Sequence, residues 1–283
     1  MNLPNFFIAG APKAGTDLLF YQLAQHPEIY MSPLKEPNYF ADEIRPHNFH
    51  ASLRPLIDKD LARMRAYMDA GAPNNRFGGI VSDLGDYQRL FADASSQPAI
   101  GEGSVCYLWS KSAPTRIART IPDARIILVL MDPAERAFHQ YLKSLSDETV
   151  SHPFSKHLEL AFSDSSGPDS EIRHFNPFLA FGEYFEQVNR YLQSFSRSQL
   201  FISLYEDSQA DYDRWFGEVL SFLQVDTSFR PPDVDVPSKP RMPEGFPMPH
   251  LLSGDRARLV DYYRADILRL QQLISRDLSA WLR

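Results

Sequence analysis

The apolar positions of this chain fall into short unbroken runs and longer periodic stretches, and the two kinds alternate. Phe6-Phe7-Ile8-Ala9 is an aromatic-rich run that stops at Gly10, after which a loop leads into an amphipathic stretch from about Thr16 that closes near His26-Pro27. A short apolar run bounded by turn residues reads as a buried strand, and the change of period marks a helix. The unit returns at Arg125–Met131, continuously apolar after its first residue, as a central parallel strand covered on both faces would be. Asp132-Pro133 ends that strand. Ala134, Ala137, Phe138, Tyr141, Leu142 and Leu145 then fall on one helical face, with Glu135, Arg136, His139 and Lys143 elsewhere.

Between these units, residues 31–40 contain Pro33 and Pro37 and are expected to form a loop. Residues 44–70 read as mostly helical, residues 71–86 as a turn-rich connection, and residues 99–104 as a short strand emerging into a loop. A helix with Pro114 in its first turn runs to about Ile121, proline being tolerated where its missing N–H has no helical partner. Further on, residues 163–170 form a polar, breaker-rich loop, residues 181–192 a helix, and residues 200–207 a strand ending in Tyr-Glu-Asp. Seven prolines make residues 230–249 an extended loop, and Leu259, Tyr263, Ile267, Leu270 and Ile274 mark a long terminal helix over 256–281. Alternating strands and helices predict an α/β fold, an open, mostly parallel β-sheet flanked by helices with ligands at the carboxyl ends of the strands, and the glycine spacing after the first strand resembles a P-loop, so the fold is expected to be P-loop-like. No repeat or linker interrupts it, so a single domain over residues 1–283 is expected.

Composition narrows the partners. A formal net charge of −7 argues against nucleic acid as the main partner, which usually demands a basic face. The single cysteine, Cys106, excludes an internal disulfide and fits a reducing compartment; a small buried residue is its expected role. The histidines show no ligand set, His47 and His50 lying in a polar stretch, and no metal is expected. Without a run of about eighteen apolar residues, or a basic segment ahead of the first strand, a soluble, cytoplasmic protein is expected.

The first loop holds the chemistry. In Gly10-Ala11-Pro12-Lys13-Ala14-Gly15-Thr16, glycines allow close backbone approach to an anion, helix N-terminal amides point at it, and Lys13 adds a mobile positive charge. A Walker loop would place lysine directly after the second glycine, where Thr16 stands, and no paired metal carboxylates follow, which disfavours a kinase.

The order Pro12-Lys13-Ala14-Gly15-Thr16 after a first strand resembles the 5'-phosphosulfate loop of sulfotransferases that use 3'-phosphoadenosine 5'-phosphosulfate, the carbohydrate and heparan types in particular and a bacterial or otherwise soluble relative among them. Lys35-Glu36-Pro37-x-x-Phe40 resembles the segment that carries their catalytic base, and the unit Met131-x-Pro133-x-x-Arg136-x-x-His139-x-Tyr141 their 3'-phosphate element. The resemblance implies a sulfotransferase moving a sulfuryl group from that donor to a hydroxyl or amine of a small molecule or sugar. It implies Lys13 and Glu36 as catalytic residues, and donor contacts from Pro12, Lys13, Ala14, Gly15, Thr16, Asp17, Leu18, Arg136, His139, Lys239 and Arg241. Glu102, in a Gly-Glu-x-Ser stretch, and His139 stay open as alternative bases, although a structural hydrogen-bond acceptor is the favoured reading of Glu102. Three positions depart from the family pattern: Asp17 follows the loop, Met131 replaces an arginine, and His139 replaces a serine. They leave a second reading, a diverged member with weakened or altered donor binding or a non-catalytic binding protein. In the first reading Asp17 points away, pairs with Lys13 or pairs with another cation.

Overall fold

The computed structural model describes residues 3–48, 54–71, 76–163, 178–234 and 248–283. The chain divides into two compact units, Met1–Leu130 with Arg190–Val234, and Met131–Asn189 with Asp235–Arg283.

The first unit is built on β1 (Phe6–Gly10), all five residues of which are buried. Its neighbours are β5 (Ala99–Gly103) and β6 (Arg125–Leu130), with β2 (Ile29–Met31) beyond β5 and β7 (Leu200–Leu204) beyond β6. Every pairing is parallel, Phe6 lying opposite Gly101 on one side and Arg125 on the other. Gly101 is required for that packing, because a Cβ there would lie 2.2 Å from the Phe6 ring. The chain moves from β1 to one edge, returns through β5, then crosses to β6 and β7. The order therefore reverses beside β1, and at such a point the loops leaving the strands part to open a ligand crevice.

The α1 helix (Thr16–Leu23) buries Thr16, Leu19, Phe20, Gln22 and Leu23. The helix Tyr212–Leu223 buries Trp215, Phe216, Val219, Leu220 and Leu223, and Trp215 Nε1 donates to Ser203 Oγ of β7 at 3.1 Å. Aromatic rings fill the space near β1: Phe40 meets Phe7 edge-on at 5.7 Å and Tyr87 at 5.5 Å, while Tyr39 stacks on Tyr87 at 4.3 Å.

Several local expectations are corrected here. Residues 31–40 are not all loop: Met31 ends β2, and Leu34–Lys35 (β3) pairs in parallel with Arg76–Phe77 (β4). The prolines flank this pairing instead of interrupting it. Within residues 44–70 the regular helix is α2 (Arg54–Asp69). The connection after it contains β4 and the start of α3 (Leu84–Arg89), whose first turn is capped by Asp83 accepting from the Asp86 amide. Tyr205-Glu206-Asp207 does not end β7 but opens a short helix, Tyr205–Ala210. A four-residue helix, α4 (Cys106–Trp109), follows β5 closely, and α5 (Ala113–Thr120) carries Pro114 in its first turn.

In the second unit, α6 (Pro133–Ser146) buries the apolar face read from the sequence. Its buried stripe is wider than its apolar one, since Arg136 and Gln140 are buried as well. The helix Ser253–Ile274 packs against α6, and α7 (Phe154–Ser163) against α6 as well. The terminal helix is shorter than expected, because Ser275 adopts a left-handed backbone (φ 54°) that stops it. The turn Ser279–Leu282 then folds back and packs Trp281 on Tyr184.

Candidate active site

The loop leaving β1 has two left-handed residues, Lys13 (φ 71°) and Gly15 (φ 77°). Turned backbone of this kind aims neighbouring amides into a common concavity that suits an anion. Glycine is needed at position 15 for its φ and for space, as a Cβ would lie 3.1 Å from the Tyr205 ring. Gly15 is also the N-cap of α1 and offers no side-chain acceptor to the first-turn amides. Those donors have no intrahelical carbonyl, the arrangement that suits helix N-termini to anions. Pro12, Ala14 and Thr16 are buried, while Lys13, Asp17 and Leu18 are half-buried.

Asp17 pairs with another cation: its Oδ1 lies 2.7 Å from Lys35 Nζ. The same ammonium lies 2.6 Å from Glu36 Oε1. Lys35 is 1% exposed. Burial alone would release its proton, but the Glu36 and Asp17 carboxylates outweigh that and hold the ammonium protonated well above its ordinary range. The second Glu36 oxygen, Oε2, accepts from the Val105 amide at 2.9 Å. Burial pushes the Glu36 carboxyl up from its usual range, with Lys35 opposing the shift.

Backbone contacts hold Glu36 in this position. Its amide donates to the Gly103 carbonyl at the end of β5 and its carbonyl accepts from Gly79, while Lys35 O accepts from Gly78. Glu36 (φ 62°) and Asn38 (φ 58°) are both left-handed. The Asn38 side chain braces the turn through the carbonyls of Glu36 (2.8 Å) and Gly79 (3.0 Å), and its amide donates to Ser104 Oγ. Non-glycine residues stay in such backbone only where surrounding contacts over-determine it.

Glu102 is fully buried and accepts from Tyr87 (2.6 Å), Tyr107 (3.2 Å) and Ser104 hydroxyls. Burial raises its carboxyl to about 7 against the pull of those three donors. It is an internal acceptor in a ring of hydroxyls.

In the second unit, Asp132 caps α6 by accepting from the Ala134 amide at 2.9 Å and pairs with Arg256 at 2.6 Å. Arg136 is fully buried, and its guanidinium donates to Gln140 Oε1 and to the Phe178 carbonyl. Met131 is buried and His139 half-buried. Lys239 and Arg241, and most of the 163–170 loop, lie outside the described residues. Among the described residues no group of His, Cys, Asp or Glu could hold a metal ion, and no helix is long and apolar enough to cross a membrane.

The pattern of the sulfotransferase family matches residues 4–229. The chain belongs to the sulfotransferase family. A solved sulfotransferase from Alicyclobacillus acidocaldarius is 31% identical, aligns over 100% of both chains and superposes with a TM-score of 0.79. The mouse bifunctional heparan sulfate N-deacetylase/N-sulfotransferase 4 is 28% identical over 304 residues, covering 100% of this chain and 31% of its own length. Human carbohydrate sulfotransferase 15 is 24% identical over 318 residues, covering 99% of this chain and 54% of its own. The chain thus spans between about a third and about half of these curated relatives.

Within this sulfotransferase fold, the structure brings the Lys13 loop, Asp17 and Glu36 into one neighbourhood of the first unit. The residue that joins them, Lys35, is one that sequence reasoning passed over. A charged residue between two prolines reads as solvated, and the only signal for it was its place beside Glu36.

Proposed function

We propose that this chain is a sulfotransferase that moves a sulfuryl group from 3'-phosphoadenosine 5'-phosphosulfate to a hydroxyl or amine of a small molecule or sugar, acting in the cytoplasm and without a metal. The observation that carries this reading is the tie between the anion-shaped loop and the Lys-Glu segment: Asp17, in the first turn of α1, and Glu36 share one buried ammonium. The names of the curated relatives support a carbohydrate acceptor.

The loop residues suit the donor. Left-handed backbone at Lys13 and Gly15 and the uncapped start of α1 present amides to its 5' side, and Lys13 brings charge to the oxygen that leaves. Pro12 and Ala14 shape the same turn, and Thr16 and Leu18 lie in the first turn of α1. The acceptor oxygen or nitrogen attacks sulfur, the bond from sulfur to the bridging phosphate oxygen breaks with its electron pair on that oxygen, and the acceptor proton passes to Glu36. Glu36 suits a base, since burial has raised its proton affinity while Lys35 favours the ionised carboxylate. The reaction yields the sulfated acceptor and adenosine 3',5'-bisphosphate.

Lys13→Ala is the direct test: turnover is lost while the melting temperature is kept, and a fully active variant overturns the assignment. One observation favours altered donor binding as a second reading. The resemblance assigns the 3'-phosphate to Arg136 and His139, with Lys239 and Arg241 as further contacts, yet the Arg136 guanidinium is fully buried and engaged by Gln140 and Phe178. Calorimetry separates the two. Preference of about a hundredfold for the 3',5'-bisphosphate over adenosine monophosphate, roughly 2.7 kcal/mol, supports the usual donor, and equal binding supports an altered one.

A further inference from the structure

A carboxylate in the first turn of an anion-binding helix is a contradiction that the structure resolves through one lysine. Asp17 stands where donor phosphates or sulfate would approach, and unscreened it would repel them. Its partner is the Lys35 ammonium at 2.7 Å, and that ammonium also holds Glu36 at 2.6 Å. Lys35 reaches both because β3 pairs with β4 while the Gly103 carbonyl fixes the next amide, so its side chain is buried beneath α1 at 5.9 Å from the Phe20 ring.

We propose that Lys35 is a positioning residue with two tasks, neutralising Asp17 so that the donor's anion is admitted and presenting Glu36 as proton acceptor, and that Asp17 sets how firmly Lys35 holds Glu36. The inference rests on the reading of Glu36 as the base and goes beyond it. Both Glu36 oxygens are anchored, Oε1 by Lys35 and Oε2 by the Val105 amide, which fixes the plane of the carboxylate. Each carboxylate oxygen retains capacity for a second hydrogen bond, so a proton can still be received.

One cation shared by two carboxylates divides its attraction. Without Asp17, Lys35 would favour the ionised form of Glu36 more strongly and make it a weaker base. Without Lys35, two carboxylates would face each other and Glu36 would hold its proton to higher pH. Among the described residues, Tyr21 on the same helix as Asp17 feels both Asp17 and Lys35, Glu36 in turn acts on Glu102 of β5 and Cys106 of α4, and Lys13 lies on the loop that leads into Asp17. They stay in place in the variants below. Asp17→Asn and Lys35→Gln are therefore expected to move the pH profile in opposite directions, which a purely structural role would not do.

The experiment uses the full chain and four variants, Asp17→Asn, Lys35→Gln, the double variant and Glu36→Gln. It measures the pH profile of kcat/KM and calorimetric affinity for adenosine 3',5'-bisphosphate. Lys35→Gln moves the acidic limb up by about one unit, tenfold in rate below the limb, and weakens the bisphosphate about tenfold. Asp17→Asn moves the limb down by about half a unit without loss of affinity, and the double variant recovers affinity to within about threefold of the parent. Limbs that stay put or move together, with Glu36→Gln inactive, overturn this inference alone. Full activity in Glu36→Gln overturns instead the reading of Glu36 as base. Should Lys35→Gln fail to fold, the Asp17→Asn limb decides: a downward shift supports the proposal and no shift overturns it.

Discussion

Tyr87 donates its phenolic proton to Glu102 Oε2 at 2.6 Å, and both side chains are fully buried. A carboxyl group in such a place is stable in either protonation state only because hydroxyls surround it. Its proton affinity, raised to about 7, makes it a source of pH-dependent stability.

For Glu102 the direction follows from proton counting. The folded protein keeps the proton to about 7, whereas the unfolded chain loses it near the ordinary 4.5, so the folded state binds more protons in between. This contribution is present below 4.5 and is lost as pH rises through 7, at up to about 1.4 kcal/mol per unit. Denaturant unfolding of Glu102→Gln between pH 4.5 and 7 should show a flatter profile than the parent. Parallel profiles would mean that Glu102 is ionised throughout.

Tyr107 offers a check on the same ring of hydroxyls. Its oxygen accepts from the buried Phe40 amide at 3.1 Å while its proton goes to Glu102. Tyr107→Phe orphans that amide, and a loss of about 1–3 kcal/mol in unfolding free energy is expected. Because the Tyr107 hydroxyl helps hold Glu102 below its burial-driven limit, the upper end of the pH window should also move up.

Gly15→Ala tests the proposed donor loop without touching a charge. Left-handed backbone at alanine costs about 1–2 kcal/mol, and the added methyl meets the Tyr205 ring at 3.1 Å. Lower thermal stability and weaker calorimetric binding of adenosine 3',5'-bisphosphate are expected together. Unchanged affinity would remove this turn from the donor site.

At the start of α6, Asp132 both caps the helix and pairs with Arg256. Asp132→Ala should destabilise by about 1–3 kcal/mol, since the lost cap and the lost ion pair add together, even though Arg256 keeps Glu135 at 3.2 Å. Asp132→Asn keeps a capping oxygen and should cost less; equal losses in the two variants would show that the ion pair dominates.

The strand, loop and helix around Lys13 were legible in the chain because each depends on near neighbours: a run of apolar residues, two glycines and a helical period within residues 6–23. The same holds for β6 and the apolar face of α6. What lay beyond the sequence depends on contacts between distant segments. Nothing local marks Lys35 as buried; the pairing of β3 with β4 and the arrival of Asp17 on α1 make it so. Arg136 falls off the apolar face of its helix and was expected as a donor contact, and only packing in the second unit engages it with Phe178, 42 positions away. Glu102 likewise becomes an internal acceptor through Tyr87. Periodicity and turn chemistry, which act over a few residues, determined the elements and the turned loop between β1 and α1. Burial and charge pairing act through space, and so the structure alone decided that Asp17 is neutralised, and that the lysine doing so is the one that holds Glu36.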